Sequence, residues 1–232
     1  TAGVEVVARV TWRDGTSATG ALGRGAAAMT LPGVSGGVGV GAVLAGYGWL
    51  GVTHILLGVD HLLFVLGLLL LVDGWRALVR TITAFTAAHS VTLALAASGL
   101  VAVPPAPIEA LIALSIVLVA AELARGPGVR PTLARRRPWL VAFAFGLLHG
   151  LGFASALGTI GLPADQLPLA LLAFNAGVEV GQLAFVAAML GPLALGTRFA
   201  GRRPWLRLVP AYALGGVAAA WTMVRVQAFW TT

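Results

Sequence analysis

The four histidines of this chain, His54, His61, His89 and His149, all fall inside long apolar runs, together with the carboxylates of Asp60, Glu109, Glu122 and Glu179. The stretch GVTHILLGVDHLLFVLGLLLLV, residues 51 to 72, sets His54, Asp60 and His61 in one such run. Ionisable groups are costly inside hydrocarbon and usually face a bundle interior or a water-filled cavity, where they serve a purpose. Imidazole nitrogen and carboxylate oxygen without sulfur suit the borderline divalent cations Ni²⁺, Co²⁺ and Zn²⁺. The absence of cysteine excludes a disulfide, a thiolate metal site and a thiol nucleophile. Met29, Met189 and Met223 are too few for a thioether path carrying Cu(I).

Spacing refines the chemistry. His54 and His61 are seven residues apart; on one helix, at ~100° per residue, they lie within ~20° of each other and ~10 Å apart along the axis. Gly58 leaves a side-chain gap between them, so the pair reads as a ladder of two imidazoles leading inward. Asp60, ~100° around the helix from His61, is predicted to orient a ring on a neighbouring helix or join a shared site rather than bond His61 directly. Asn175, Glu179 and Gln182 follow i, i+4, i+7 and form one polar stripe. Thr86, His89 and Ser90 cluster by the same arithmetic. The plainer readings differ from residue to residue. A lone buried histidine is more often a hydrogen-bonded core residue than a ligand. Glu122, near Arg125, reads as snorkelling or an ion pair; Glu109 as a gate, an outer ligand or a helix N-terminal charge; Asp73 as solvated.

The elements that must position these groups are membrane helices. A chain of 232 residues that is 59% hydrophobic and 10% charged, with a mean hydropathy of +0.94, belongs to no ordinary soluble class. The net charge of +7 comes from arginines grouped in short clusters between apolar runs, which speaks for topology and against nucleic acid. Six segments long enough to span ~30 Å of hydrocarbon are expected at about 50–72, 79–100, 106–124, 138–158, 167–191 and 208–230. Arg76 and Arg80 mark the first connection, Arg125, Arg130, Arg135, Arg136 and Arg137 the third, and Arg198, Arg202, Arg203 and Arg207 the fifth. The second, VPPAP, has no charge, and the fourth, GTIGLPADQ, has only Asp165. The positive-inside rule then places both termini outside. On that topology His61, His89 and His149 sit ~15–17 Å deep, with Glu179 at similar depth and His54 nearer the outside. Gly146 with Gly150, and Gly177 with Gly181, are spaced for close helix packing.

The fold expected is therefore an all-α membrane protein, a six-helix transmembrane bundle over 50–230. It is preceded by an extracytoplasmic segment at 1–36 and a Gly-rich linker or interfacial helix at 37–49. The alternation around RDGT gives the first segment a β-hairpin-like character. Thr1 opens the chain without a basic and apolar leader, which reads as a mature or shortened chain.

Five motifs in order, HILLGVDHLLFVLGLLL, TAFTAAHSVTL, IEALIALSIV, FAFGLLHGLGFASAL and FNAGVEVGQL, resemble the HupE/UreJ family, in its branch with an extracytoplasmic N-terminal region. The resemblance runs from about residue 48 to 191. It implies a nickel or cobalt permease of a bacterial cytoplasmic membrane, with metal-related roles for His54, Asp60 and His61 and, by carry-over, His89, His149 and Glu179. In this reading Gly58, Ser90, Asn175 and Gln182 support the site. No GxxxxGK[ST] run is present, so direct nucleotide coupling would need another subunit. The metal is cargo rather than a permanently bound cofactor, the partners are the bilayer and the ion, no nucleic acid is involved, and a homo-oligomer stays open. Two rivals differ in class. An intramembrane zinc hydrolase would use three histidines, Asp60 and Ser90. A non-transporting assembly factor would use the polar core to conduct protons or fix helix register.

Overall fold

The structure is a computed structural model, which describes residues 6–11, 17–22, 39–125, 130–160, 166–200 and 208–230. Two strands, β1 (Val6–Thr11) and β2 (Ser17–Leu22), pair antiparallel with Val6 opposite Leu22 and Thr11 opposite Ser17. The RDGT turn, residues 37 and 38 of the expected linker, residues 161–165 of the GTIGLPADQ connection with Asp165, and Arg202, Arg203 and Arg207 lie outside the described residues.

All other elements are helical. They are α1 (Val40–Leu57), α2 (Val59–Leu71), α3 (Trp75–Ala97), α4 (Pro105–Ala124), α5 (Leu133–Arg136), α6 (Pro138–Ile160), α7 (Leu167–Ala200) and α8 (Val209–Gln227), with a 3₁₀ turn at Ala228–Trp230. Among the described residues five helices are long and apolar enough to cross a membrane: α1, α3, α4, α7 over Leu167–Gly196, and α8. Val59–Leu71 and Pro138–Phe153 are shorter apolar helices.

The first expected span needs correction. Residues 50–72 are not one helix, because α1 starts at Val40, within the stretch expected as a linker or interfacial helix, and stops at Leu57. Gly58 adopts φ −77°, ψ 91°, and α2 restarts at Val59. Hydropathy does not register the break, since the residues on both sides are equally apolar. Elsewhere the ends follow local chemistry. Gly74 (φ 87°) and Gly99 (φ 72°) sit in the left-handed region at the start and end of α3, where a side chain would be strained. Proline occupies the first turn of both α4 and α8, where its missing N–H costs no helical bond.

Glycines set the packing. On α1 a Cβ at Gly51 would overlap the Phe174 carbonyl, and on α7 one at Gly177 would overlap the Gly48 carbonyl. Gly181 lies farther along α7 and meets Ile55 and Val52, so α1 and α7 run parallel with backbones in contact. On α6, Gly146 meets the Phe85 carbonyl and Gly150 the His89 carbonyl, so α3 and α6 form a second parallel, touching pair. The pairs of small residues expected as packing sites serve that purpose. α4 lies antiparallel to α8, with Glu109 facing Arg225 at 3.6 Å and Ala120 facing Gly215. At the other end of α4, Glu122 is held by Arg135 at 3.1 Å and Arg125 at 3.6 Å, the ion pair expected of it. Asp73 is exposed. Phe64, Val65, Leu68, Ile82, Phe85 and Ile116 fill one core; Ile55, Leu93, Leu171, Phe174 and Val178 fill another.

Replacing Gly51 or Gly177 by alanine forces two backbones apart. Each change is expected to lower stability by about 1–3 kcal/mol in reversible unfolding in mixed micelles. Gly46→Ala and Gly216→Ala, where an added Cβ meets nothing within 4 Å, should show no loss.

Candidate metal site

The two touching helix pairs bring the four imidazoles into one cluster. Ring centroids of His54 and His61 are 4.9 Å apart, His54 and His89 6.2 Å, His61 and His89 6.1 Å, and His61 and His149 4.9 Å. The ~10 Å ladder expected for His54 and His61 on a continuous helix is thus closed up. The reason is Gly58: its N–H donates to the His54 carbonyl, and a Cβ there would stand 2.9 Å from Nδ1 of His61. The His61 ring lies against the space that the missing side chain leaves.

The break also relocates Asp60. It lies in the first turn of α2, where backbone N–H groups have no helical acceptor. Its Oδ1 accepts from the His61 backbone N–H at 2.9 Å and pairs with His61 Nδ1 at 3.0 Å. The expectation that Asp60 would not bond His61 directly was built on a 100° step within one helix, and it fails because the carboxylate folds back over its own helix start.

Hydrogen bonding fixes which imidazole nitrogens are free. Asp60 takes the Nδ1 proton of His61, leaving Nε2 with a lone pair. His89 Nδ1 meets Asn175 Oδ1 at 3.4 Å, and the Asn175 amide is oriented by its Nδ2 donating to the Leu171 carbonyl at 2.8 Å. Ser115 gives its hydroxyl hydrogen to the Ile112 carbonyl at 2.6 Å, so its Oγ, 3.2 Å from His149 Nε2, accepts there. What remains is Nε2 of His54, His61 and His89 and Nδ1 of His149, all buried without a hydrogen-bond partner. An unpartnered buried polar atom costs about 1–3 kcal/mol, so four of them in one cluster of rings need a reason.

A metal ion would supply it. One nitrogen from each of His54, His61 and His89 lies within 4.8 Å of the others. Nitrogens bound to one tetrahedral ion at ~2.1 Å stand ~3.4 Å apart, so ring shifts of about an ångström close the site. Hydrogen bonds from the remote ring nitrogen to a carboxylate and an amide are the supports that orient metal-binding histidines. Around the cluster stand Phe153, 3.9 Å from His54, Phe174, 5.4 Å from His54, Phe85, 5.0 Å from His149, and Phe64, 5.2 Å from His149. This aromatic wall and Ser115 were not singled out from the sequence. Phe85, Phe174 and His89 lie within quoted motifs, but an aromatic in an apolar helix does not announce what it faces.

The other expected residues are dispersed. Glu179 accepts from Thr83 Oγ1 at 2.5 Å on the outer side of the α3–α7 seam and does not join the three-histidine group. Gln182 is fully buried and its Oε1 accepts from Thr86 at 2.9 Å. Ser90 donates its hydroxyl to the Thr86 carbonyl at 2.7 Å.

The family model described as HupE / UreJ protein matches residues 37–225, which is most of the chain and takes in every histidine of the cluster. No curated protein and no solved structure matches. The match agrees with the five motifs and with a bundle of apolar helices. The chain belongs to the HupE/UreJ family, membrane transporters and accessory proteins with a role related to metal transport, and not enzymes.

Proposed function

We propose that this protein is a permease for a divalent transition metal, nickel or cobalt, that passes the ion through the histidine cluster. The observation that carries the reading is the set of buried imidazoles, His61 and His89 above all, whose protons are committed elsewhere and whose lone pairs converge. Neutral nitrogen donors without sulfur favour Ni²⁺ or Co²⁺ over Cu(I). His54, His61 and His89 bind the ion, Asp60 and Asn175 orient two of the rings, and the ion is cargo, not a resident cofactor. A site of three weakly adjusted ligands in a bundle core suits passage, which needs binding firm enough to admit an ion and loose enough to release it.

In this reading six spans cross a bacterial cytoplasmic membrane, with α1 and α2 forming one broken span and both termini outside. α2 alone, 13 residues or ~20 Å long, is too short to cross. α1, partnered in parallel by α7, supplies the missing length. A discontinuous helix at mid-membrane is where transporters place their ion sites.

Purified protein in proteoliposomes is expected to take up ⁶³Ni²⁺, and His61→Ala to reduce uptake to the level of empty vesicles. Unchanged uptake in His61→Ala would sink the assignment. Titration calorimetry separates support from contact: Asp60→Asn should weaken metal binding about 10–100-fold. Glu179→Gln, which alters a group bonded to Thr83 away from the cluster, should leave affinity within about twofold of wild type, the margin that distinguishes it from a lost supporting bond.

A further inference from the structure

The two halves of the bundle repeat one another. GVTH, residues 51–54 on α1, matches GLLH, 146–149 on α6; AFTAA, 84–88 on α3, matches AFNAG, 173–177 on α7; PIEAL, 107–111 on α4, matches PAYAL, 210–214 on α8. The three matches come in the same order. Packing repeats with them: Gly51 rests on the Phe174 carbonyl and Gly146 on the Phe85 carbonyl, so the corresponding glycines meet the corresponding phenylalanines. The correspondence turns the parallel pair α1–α7 into the parallel pair α6–α3. It turns α4–α8 and α3–α7 into themselves, and both of these are antiparallel, as Glu109 with Arg225, and Thr83 with Glu179 and His89 with Asn175, show. Helices and their counterparts therefore run in opposite directions, and the axis relating the halves lies across the bundle rather than along it.

This symmetry makes His54 and His149 counterparts, since each follows its contact glycine by three residues. His61 lies between them, with its ring 4.9 Å from both. His54 packs on Phe153, one turn beyond His149 along α6, whereas His149 packs on Phe64, about one turn beyond His61 along α2. The two rings therefore lie on opposite sides of His61 along the bundle. They are not equally accessible: His54 is partly exposed, and His149 is fully buried. Each nonetheless presents a free nitrogen, Nε2 on His54 and Nδ1 on His149.

We infer that the metal moves by a relay in which His61 stays bound while the ion exchanges His54 on one side for His149 on the other. The relay rests on the permease reading and adds an order of ligands to it. In this structure His54 is the more accessible of the two rings; the conformer related by the internal two-fold opens at His149 and closes at His54. Inverted repeats are the construction from which alternating access arises, by rocking one half against the other around a central site. His89, which has Val178 as its counterpart, belongs only to the His54 side. The ion accordingly has His54, His61 and His89 in the first position, and His61 and His149 in the second.

The test compares His54→Ala with His149→Ala in the full-length protein. Co²⁺ titration, followed by the visible d–d absorption that reports ligand number, measures loading; ⁶³Ni²⁺ flux in proteoliposomes measures passage. His54→Ala is expected to weaken Co²⁺ binding at least tenfold, change the spectrum and abolish flux. His149→Ala is expected to keep the wild-type spectrum and affinity within about threefold while flux falls at least tenfold, a gap of one factor of ten or ~1.4 kcal/mol in the rate. Where the alanine variant does not fold, His149→Gln carries the same expectation. Wild type that binds and moves metal, with the two variants alike in loading or with His149 variants transporting normally, overturns the relay alone. Wild type that binds no Ni²⁺ or Co²⁺ overturns the permease reading and the relay together.

Discussion

Helix backbones touch along two seams among the described residues, α1–α7, where Gly51 meets the Phe174 carbonyl, and α3–α6, where Gly146 meets the Phe85 carbonyl, and the positions of the histidines depend on both. Between membrane helices no hydrophobic force acts, and association relies on close van der Waals contact, which only small residues allow. His54 follows one contact by three residues, His149 follows the other by three, and His89 sits one turn from Phe85. Imidazole side chains are short, so rings on different helices come within 5–6 Å of each other only when the helix axes are this close. A larger residue at either glycine would separate the imidazoles as well as the helices. Stability and the geometry of the histidine cluster therefore rest on the same contacts.

Gly58 does for one chain segment what those contacts do between segments. Had α1 and α2 been one helix, His54 and His61 would stand two turns apart and Asp60 would point away from both. The break places Asp60 at a helix start, gives it the His61 N–H and ring as partners, and lets the His61 ring close on His54. A bond from carboxylate to Nδ1 holds the ring in one orientation and leaves the Nε2 lone pair free. The same is done for His89 by an amide, Asn175, which cannot carry charge into the core. The cluster thus has four imidazoles and, among the described residues, one carboxylate bonded to them, Asp60, so a divalent cation bound there would keep most of its charge.

The sequence made part of this legible. Depth along each helix follows from residue number alone, so the convergence of His61, His89 and His149 at one level could be read before any coordinates. The glycine pairs on α6 and α7 were readable for the same reason. Rotation about a helix is less secure, because it depends on where the helix starts and bends. Gly58 is flanked by apolar residues on both sides, and nothing in hydropathy distinguishes a glycine that breaks a helix from one that packs it. Asp60 was misplaced for that reason. Glu179 illustrates a second limit: it lies ~40–60° around α7 from Asn175 and Gln182, close enough to read as one stripe. Asn175 and Gln182 turn inward to His89 and Thr86, while Glu179 passes around the seam to Thr83. The internal repeat, by contrast, was present in the letters throughout, in GxxH, AF and PxxAL, but its matches are too short to stand without the matching contacts.

The asymmetry between the halves carries the last step. In a permease built from two opposed halves, matched backbones allow both conformers, and unmatched side chains decide what the ion meets in each. Phe85 and Phe174 are preserved in both halves and touch both glycine contacts, so the framework is matched. His89 and Val178, Thr86 and Asn175, and Ser115 and Ala218 are not. All three differences lie at the cluster: His89 carries a buried nitrogen without a partner, Asn175 orients its ring, and Ser115 accepts a hydrogen bond from His149. In the relay proposed above, the His54 side would therefore offer a third ligand that the His149 side lacks, and an ion would lose a donor in passing between them. An uncoupled permease moves its ion down the gradient whatever the relative affinity of its two positions, so the lost donor would bear on how readily the ion leaves at His149 and not on the direction of net flux.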